Sequence, residues 1–442
     1  MNSAIDPDNL KELSLALRQG KLPLQDYIIQ TLSYIEKTEP VLGALLPEDN
    51  RQERLLKQAE ELLLRFPEPE MRPPLFGILI GVKDLFNVDG LPTRAGSKLP
   101  PEVFAGKEAE IVTSLKNLGA LILGKTTCTE FAYFQPSPTK NPCNLKHTPG
   151  GSSSGSAAAV AAGYCLLSLG TQTIGSIIRP ASYCGVTGLK PAYGLFSLQG
   201  VFPFSQTVDH IGFITRQISD LSFLLPLLDL FASEKITNRP VLGAVTGSYL
   251  QQADASVQEN YFSALNKLLQ NGYKIITGDP FGDINSINAR HNALIAAEFA
   301  LNHKRLFARY QHLYSESSKE LYGRGLKISS TELELLRKQT IMFRKKIVNL
   351  MQEEKIDLWV TPSTTTAAPL GLNSTGSPLM SLPWTNCGLP ALTIPNGLDE
   401  NGLPFGVQFV ASYNEDFKLI QTVQRILDRQ KTGISGFQDF AE

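Results

Sequence analysis

The chain has 442 residues, enough for one large domain or two to three ordinary ones. Its 41 basic and 42 acidic residues nearly cancel, so no basic field recruits nucleic acid. Five cysteines and five histidines are scattered without a CxxC pair or a ligand cluster. That distribution excludes a disulfide scaffold and a zinc site, and it fits reduced thiols in a cytoplasmic protein.

The first stretch, MNSAIDPDNLKELSLALRQ, lacks a charged-then-apolar signal pattern. The longest nearly apolar run, Ala157 to Leu169, spans 13 residues and is too short for a bilayer. A soluble, cytoplasmic chain is therefore expected, without membrane contact. Leucines and isoleucines at helical spacing predict helices over Asp8–Arg18, Leu24–Lys37 and Asp49–Arg65, with Gly20 and Pro40 as stops. A proline-rich link, Pro67 to Pro74, follows.

The character changes at Leu75. The run FGILIGVK predicts a buried strand ending at Lys83 and Asp84. Glu108–Leu118 reads as a helix feeding a strand at Ala120–Leu123, and Ala157–Ala162 as a helix before a strand at Leu166–Leu169. Helix followed by buried strand, repeated, predicts an α/β sheet with parallel pairing. Residues 217–355 turn mostly helical, with helices expected at Leu221–Ser233, Ala255–Asn271, Ile284–Tyr310 and Ser330–Gln352. Strands near Val241–Val245 and Tyr273–Ile276 interrupt them. The runs LWVTPS, ALTIP and FGVQFVA then read as strands that complete the sheet. No internal repeat or long polar linker divides the chain. A single large α/β domain with a central mixed β-sheet flanked by helices is expected. Its parts are N-terminal helices (1–70), a core (75–216), a helical excursion (217–355) and a C-terminal part (356–442).

Three matches to reaction motifs compete. Gly119 to Thr126 satisfies GxxxxGK[ST], but the four intervening residues are Ala, Leu, Ile and Leu. They read as the strand itself rather than as a phosphate-cradling loop. Gly151-Ser-Ser153-Ser-Gly155 satisfies GxSxG, yet no buried strand leads into it. His210, beside Asp209, is the best histidine candidate for a base in that reading. The third option is a lysine base. An ordinary lysine has a pKa of about 10.4 and is almost wholly charged at pH 7. Burial disfavours the ammonium form, and lowering the pKa by about 3 costs roughly 4 kcal/mol. Such an amine can deprotonate a serine directly or through a second hydroxyl. The competing reading of Lys83 is a solvated strand-end lysine paired with Asp84.

Three stretches together resemble the amidase signature family: Gly81-Val82-Lys83-Asp84, Gly150-Gly151-Ser152-Ser153, and Gly170 to Ser176 with Pro180. The later segments Gly185–Pro191, Thr207–Gly212, Asn386–Pro395 and Gly402–Gln408 are similar to the family as well. The resemblance implies a Ser–cisSer–Lys triad. Ser176 is the expected nucleophile, Ser152 the bridging hydroxyl after a cis peptide, and Lys83 the base. Backbone amides of Thr173, Ile174, Gly175 and Ser176 would face the oxyanion. No metal or cofactor is implied. The expected partner is a small-molecule amide, and a homodimer is left open.

There are departures from the family pattern. Gln172 stands where an acid is usual and Ile174 where a glycine is usual. A β-branched Ile174 would be strained if that position needs positive φ. Arg179 lies three places after Ser176 instead of two, and Ser154 replaces a glycine. The chain also lacks the D-G-V/I-R-Y-G stretch usual in the glutamine-hydrolysing component of the glutamine-dependent amidotransferase. A stand-alone hydrolase of small carboxamides is accordingly expected. The alternatives are that glutamine-hydrolysing component of an amidotransferase complex and a catalytically silent binding protein. The excursion is where the family varies in specificity, so it is expected to line the substrate funnel. Phe299, Leu306, Tyr310, Leu321 and Tyr322 are candidates for an apolar acyl pocket or for plain core.

Overall fold

The computed structural model describes residues 9–229 and 238–431. Ten strands form one mixed sheet. In chain order they are β1 (Leu79–Lys83), β2 (Leu121–Thr126), β3 (Leu167–Gln172), β4 (Thr187–Lys190) and β5 (His210–Thr215). They continue with β6 (Val241–Val245), β7 (Lys274–Gly278), β8 (Leu358–Pro362), β9 (Ala391–Leu398) and β10 (Pro404–Ala411). The spatial order is β2-β1-β3-β5-β4-β9-β10-β8-β6-β7. β1 pairs parallel with β2 and β3, and β6 pairs parallel with β7 and β8. From β3 across to β8 the strands are joined by antiparallel pairs. Strands β1 to β5 are buried along their whole length. Such burial requires cover on both faces, and the flanking helices supply it.

The expected helices form with shifted ends. The first runs Leu10–Arg18 behind an Asn9 cap whose side chain accepts from the Glu12 amide; position 8 lies outside the described residues. The second continues past Pro40 to Leu42 and stops at Gly43, which is left-handed. A proline in the last turn removes only its own amide bond, so the glycine ends the helix. The helix expected at Leu221–Ser233 is Ile218–Leu227, and its positions 230–233 lie outside the described residues. Two strands escaped the sequence reading. β4 is four residues with a single large apolar side chain, and β5 opens on a histidine.

The helical excursion belongs to the same sheet, because β6 and β7 extend it beyond β8. Four cysteines are buried and Cys143 is exposed, all as free thiols. No helix of the described residues is long and apolar enough to cross a membrane.

Candidate active site

β1 and β3 are adjacent parallel strands, and both deliver side chains to one point near their C-terminal ends. Lys83, the last residue of β1, is fully buried. Its Nζ donates to Ser152 Oγ at 2.7 Å and to Thr171 Oγ1 at 2.7 Å, and lies 3.3 Å from the Thr171 carbonyl. The pairing with Asp84 does not occur. Successive residues at a strand end point to opposite sides, and Asp84 turns instead to Lys125 at 2.9 Å. That same Lys125 belongs to the GxxxxGK[ST] match. It lies inside β2, where it ion-pairs within the core, so no phosphate loop exists there.

Burial pushes the Lys83 amine down to about 7 from 10.5, and the Arg179 guanidinium pushes in the same direction. Arg179 is itself buried, holds Gly151 O and Thr375 Oγ1 through Nη2, and leaves Nε and Nη1 without a protein partner.

Ser152 follows a cis Gly151–Ser152 peptide, with Gly150 in the left-handed region just before it. The helix Ser154–Ala161 starts immediately after the turn. Gly155 sits so close to Ala44 O and Thr127 N that any β-carbon would overlap them, which is why glycine must stand there. Ser154, the departure in the serine turn, donates to Gly150 O at 2.7 Å and stabilises the bend. Ser153, the centre of the GxSxG match, donates to Thr171 O at 3.3 Å. His210 serves no serine. Its Nδ1 meets the carbonyls of Val208 and Gln172, and burial holds it well below the usual imidazole range.

Ser176 follows β3 in a loop, is 6% exposed, and is tied to the serine turn by Ser153 N–H donating to Ser176 O at 3.3 Å. Lys83 and Ser152 thus touch directly, and Ser176 joins them through the backbone. No hydrogen bond links the Ser152 and Ser176 hydroxyls in this structure. Such contacts are often long without substrate.

Among the described residues, the amides of Thr173, Ile174, Gly175 and Ser176 have no protein acceptor. Ile174 is not among the residues with positive φ, so the strain anticipated at this position is absent. Gln172 fills the role of a cap: its Oε1 accepts from Ile177 N at 2.8 Å and Ile178 N at 3.0 Å. Asp209 accepts from Thr173 Oγ1 at 2.6 Å and from two amides, and burial raises it to about 6.

The pocket candidates are core at three positions. Phe299 and Leu321 are wholly buried, Phe299 is stacked on His303, and Tyr322 is stacked on Phe307. A surface cleft of about 430 Å³ along the outer edge of β2, lined by Arg54, Gln58, Asp89 and Lys116, contains none of the groups above.

A buried amine on a serine, beside a loop of unpaired amides, thus sits at the C-terminal ends of adjacent parallel strands in an α/β protein. A family model described as Amidase matches residues 27–420, and the chain belongs to that family. It is an enzyme type that acts on amide C–N bonds.

Curated relatives include the A component of glutamyl-tRNA(Gln) amidotransferase from Exiguobacterium sibiricum, 28% identical over 92% of this chain and 94% of the relative. The protein of the same name from Oleidesulfovibrio alaskensis is 29% identical over 95% and 96%. Among solved structures, an amidase superposes with a TM-score of 0.86 at 28% identity, covering 96% of this chain and 99% of the other. A chain from a vestigial complex related to an s-triazine catabolic enzyme superposes at 0.84 with 26% identity, covering 97% and 100%.

Proposed function

We propose that the chain hydrolyses a carboxamide through a serine acyl-enzyme. Ser176 Oγ attacks the amide carbonyl while its proton passes through Ser152 to neutral Lys83. The carbonyl oxygen gathers charge facing the amides of residues 173–176. The C–N bond then breaks, and the proton on Lys83 returns through Ser152 to the departing nitrogen. Water, deprotonated by the same route, cleaves the ester to carboxylate and restores Ser176. The observation that carries this reading is Lys83 itself, a fully buried amine 2.7 Å from Ser152 Oγ and outside every ion pair among the described residues.

Two settings for this chemistry differ in what receives the nitrogen. A stand-alone hydrolase releases ammonia or an amine from a small carboxamide. The glutamine-hydrolysing component of an amidotransferase passes ammonia to a partner, and the names of the curated relatives favour this second reading. Ammonia release from a panel of aliphatic, aryl and indolyl amides plus glutamine separates them. Turnover of glutamine alone, rising when a partner co-purifies, supports the amidotransferase setting. Turnover of other amides by the isolated chain supports the hydrolase. In both cases a fluorophosphonate probe is expected to label wild type and not Ser176→Ala. Equal labelling of the two removes Ser176 as nucleophile.

A further inference from the structure

The loop of free amides after β3 is held from behind, one carbonyl at a time. His291 Nε2 meets Thr173 O at 3.1 Å. Thr385 Oγ1 donates to Ile174 O at 2.6 Å. Arg179 N–H donates to Gly175 O at 2.9 Å. The three peptide units that follow are trans, since the chain's cis bond among the described residues is Gly151–Ser152. In a trans peptide the carbonyl of one residue and the amide of the next point in opposite directions. Holding Thr173 O therefore aims Ile174 N–H away from His291, and holding Ile174 O aims Gly175 N–H away from Thr385. Gly175 O fixes Ser176 N–H in the same manner.

The supports are themselves oriented. Asn386 Nδ2 donates to His291 Nδ1 at 3.1 Å, which leaves the proton on Nε2 for Thr173 O. Burial lowers His291 to about 4, so the neutral ring persists across ordinary working pH. Gln172 Nε2 donates to Thr385 Oγ1 at 2.9 Å, so the hydroxyl proton of Thr385 turns to a carbonyl, and Ile174 O at 2.6 Å is nearer than the Ser381 O of its own helix at 3.1 Å. His291 lies in the helix Ile284–Tyr310 and is fully buried; Thr385 lies in the helix Leu382–Asn386 and is equally buried.

We infer that His291 and Thr385 are positioning residues for the oxyanion-binding amides of Ile174 and Gly175. This rests on the hydrolytic reading of the site. Preorganised donors contribute chiefly when charge develops on the oxygen, so losing their alignment lowers kcat more than it alters KM. Removing an oxyanion donor outright costs about 10²- to 10³-fold in kcat, and loosening one by removing its support costs less, about 10- to 100-fold.

The test uses the full chain and the best amide from the panel. Thr385→Val keeps the volume and deletes the hydroxyl, Thr385→Ser restores it, and His291→Gln keeps an N–H donor where His291→Ala does not. The expected result is a kcat about 10- to 100-fold lower for Thr385→Val and His291→Ala, with KM within about twofold. Thr385→Ser and His291→Gln should recover most of it. Affinity for a boronic acid bearing the same acyl group, which mimics the tetrahedral state, should fall by the same factor as kcat. Unchanged kcat in both deletions, loss in KM alone, undiminished boronate affinity, or no recovery in the conservative variants overturns the assignment. Because the two supports sit on separate helices, misfolding of one variant leaves the other as the test. A wild type that cleaves no amide overturns the hydrolytic reading with it, whereas an active wild type with unaffected variants overturns this inference alone.

Discussion

At the scale of single residues, the proposed chemistry turns on how far burial depresses one lysine. With its pKa at about 7, Lys83 is half neutral near neutrality, whereas an ordinary lysine is almost wholly charged. Activity is therefore expected to rise with pH through about 7 on a one-proton limb. Lys83→Ala should lose about 10²- to 10⁴-fold in kcat/KM together with that limb. A variant that keeps the limb would assign the titration to another group. Stability carries the same signature with a fixed sign. The folded pKa lies below the unfolded value of 10.5, so between about 7 and 10.5 the unfolded chain binds the extra proton. Relative to Lys83→Met, the wild type should gain stability as pH rises through that window and show a constant difference below it. Denaturant midpoints of both proteins from pH 6 to pH 10 measure this, and a flat difference would place the amine in contact with water.

At the scale of elements, the loop between β3 and the helix Ile178–Tyr183 depends on Gln172. Two buried amides, Ile177 and Ile178, have its Oε1 as acceptor, and each buried amide left unpaired costs about 1–3 kcal/mol. Gln172→Leu is expected to lower the stability by about 2 kcal/mol or more, while Gln172→Glu preserves both acceptor bonds and loses less. Chemical denaturation of the two variants decides this, and a wild-type midpoint for Gln172→Leu would sink the capping role. The Glu variant should still turn over slowly, because a carboxylate competes with Ile174 O for the Thr385 proton.

This element also shows what a sequence discloses. Lys83, Ser152 and Ser176 were legible as candidates because each sits in a local pattern: a strand end, a Gly-Gly turn, a Gly-bearing loop. The roles of His291, Thr385 and Asn386 were not, since they reach the loop across 118 and 211 positions and nothing around them marks the contact. Ile174 looked like a departure in need of explanation. Its backbone conformation needs none, and only the folded loop reveals that. β4 and β5 were missed for a related reason: a strand paired on both edges is specified by its neighbours more than by its own side chains.

At the scale of the molecule, the site straddles a seam. β4 and β9 meet through Gly188↔Thr393, Leu189↔Leu392 and Lys190↔Ala391, and this pairing joins the half that carries Lys83, Ser152 and Ser176 to the half that carries Thr385. A chain of this length commonly unfolds through intermediates. Here the supports of the amide loop cross from one half to the other, so the halves are expected to lose structure together. Two tryptophans report on the second half, Trp359 in β8 and Trp384 in the helix of Thr385, both buried. Cys128 and Cys165 report on the first half, both buried and free. Tryptophan fluorescence and thiol labelling mapped to those two cysteines should follow one denaturant transition with a common midpoint. Gly188→Val should move both probes down together, because even its β-carbon would sit 2.6 Å from Ala181 Cβ at the seam. Separate midpoints, or a variant that shifts one probe alone, would mean that the two halves fold as independent units and that the seam only brings them into contact.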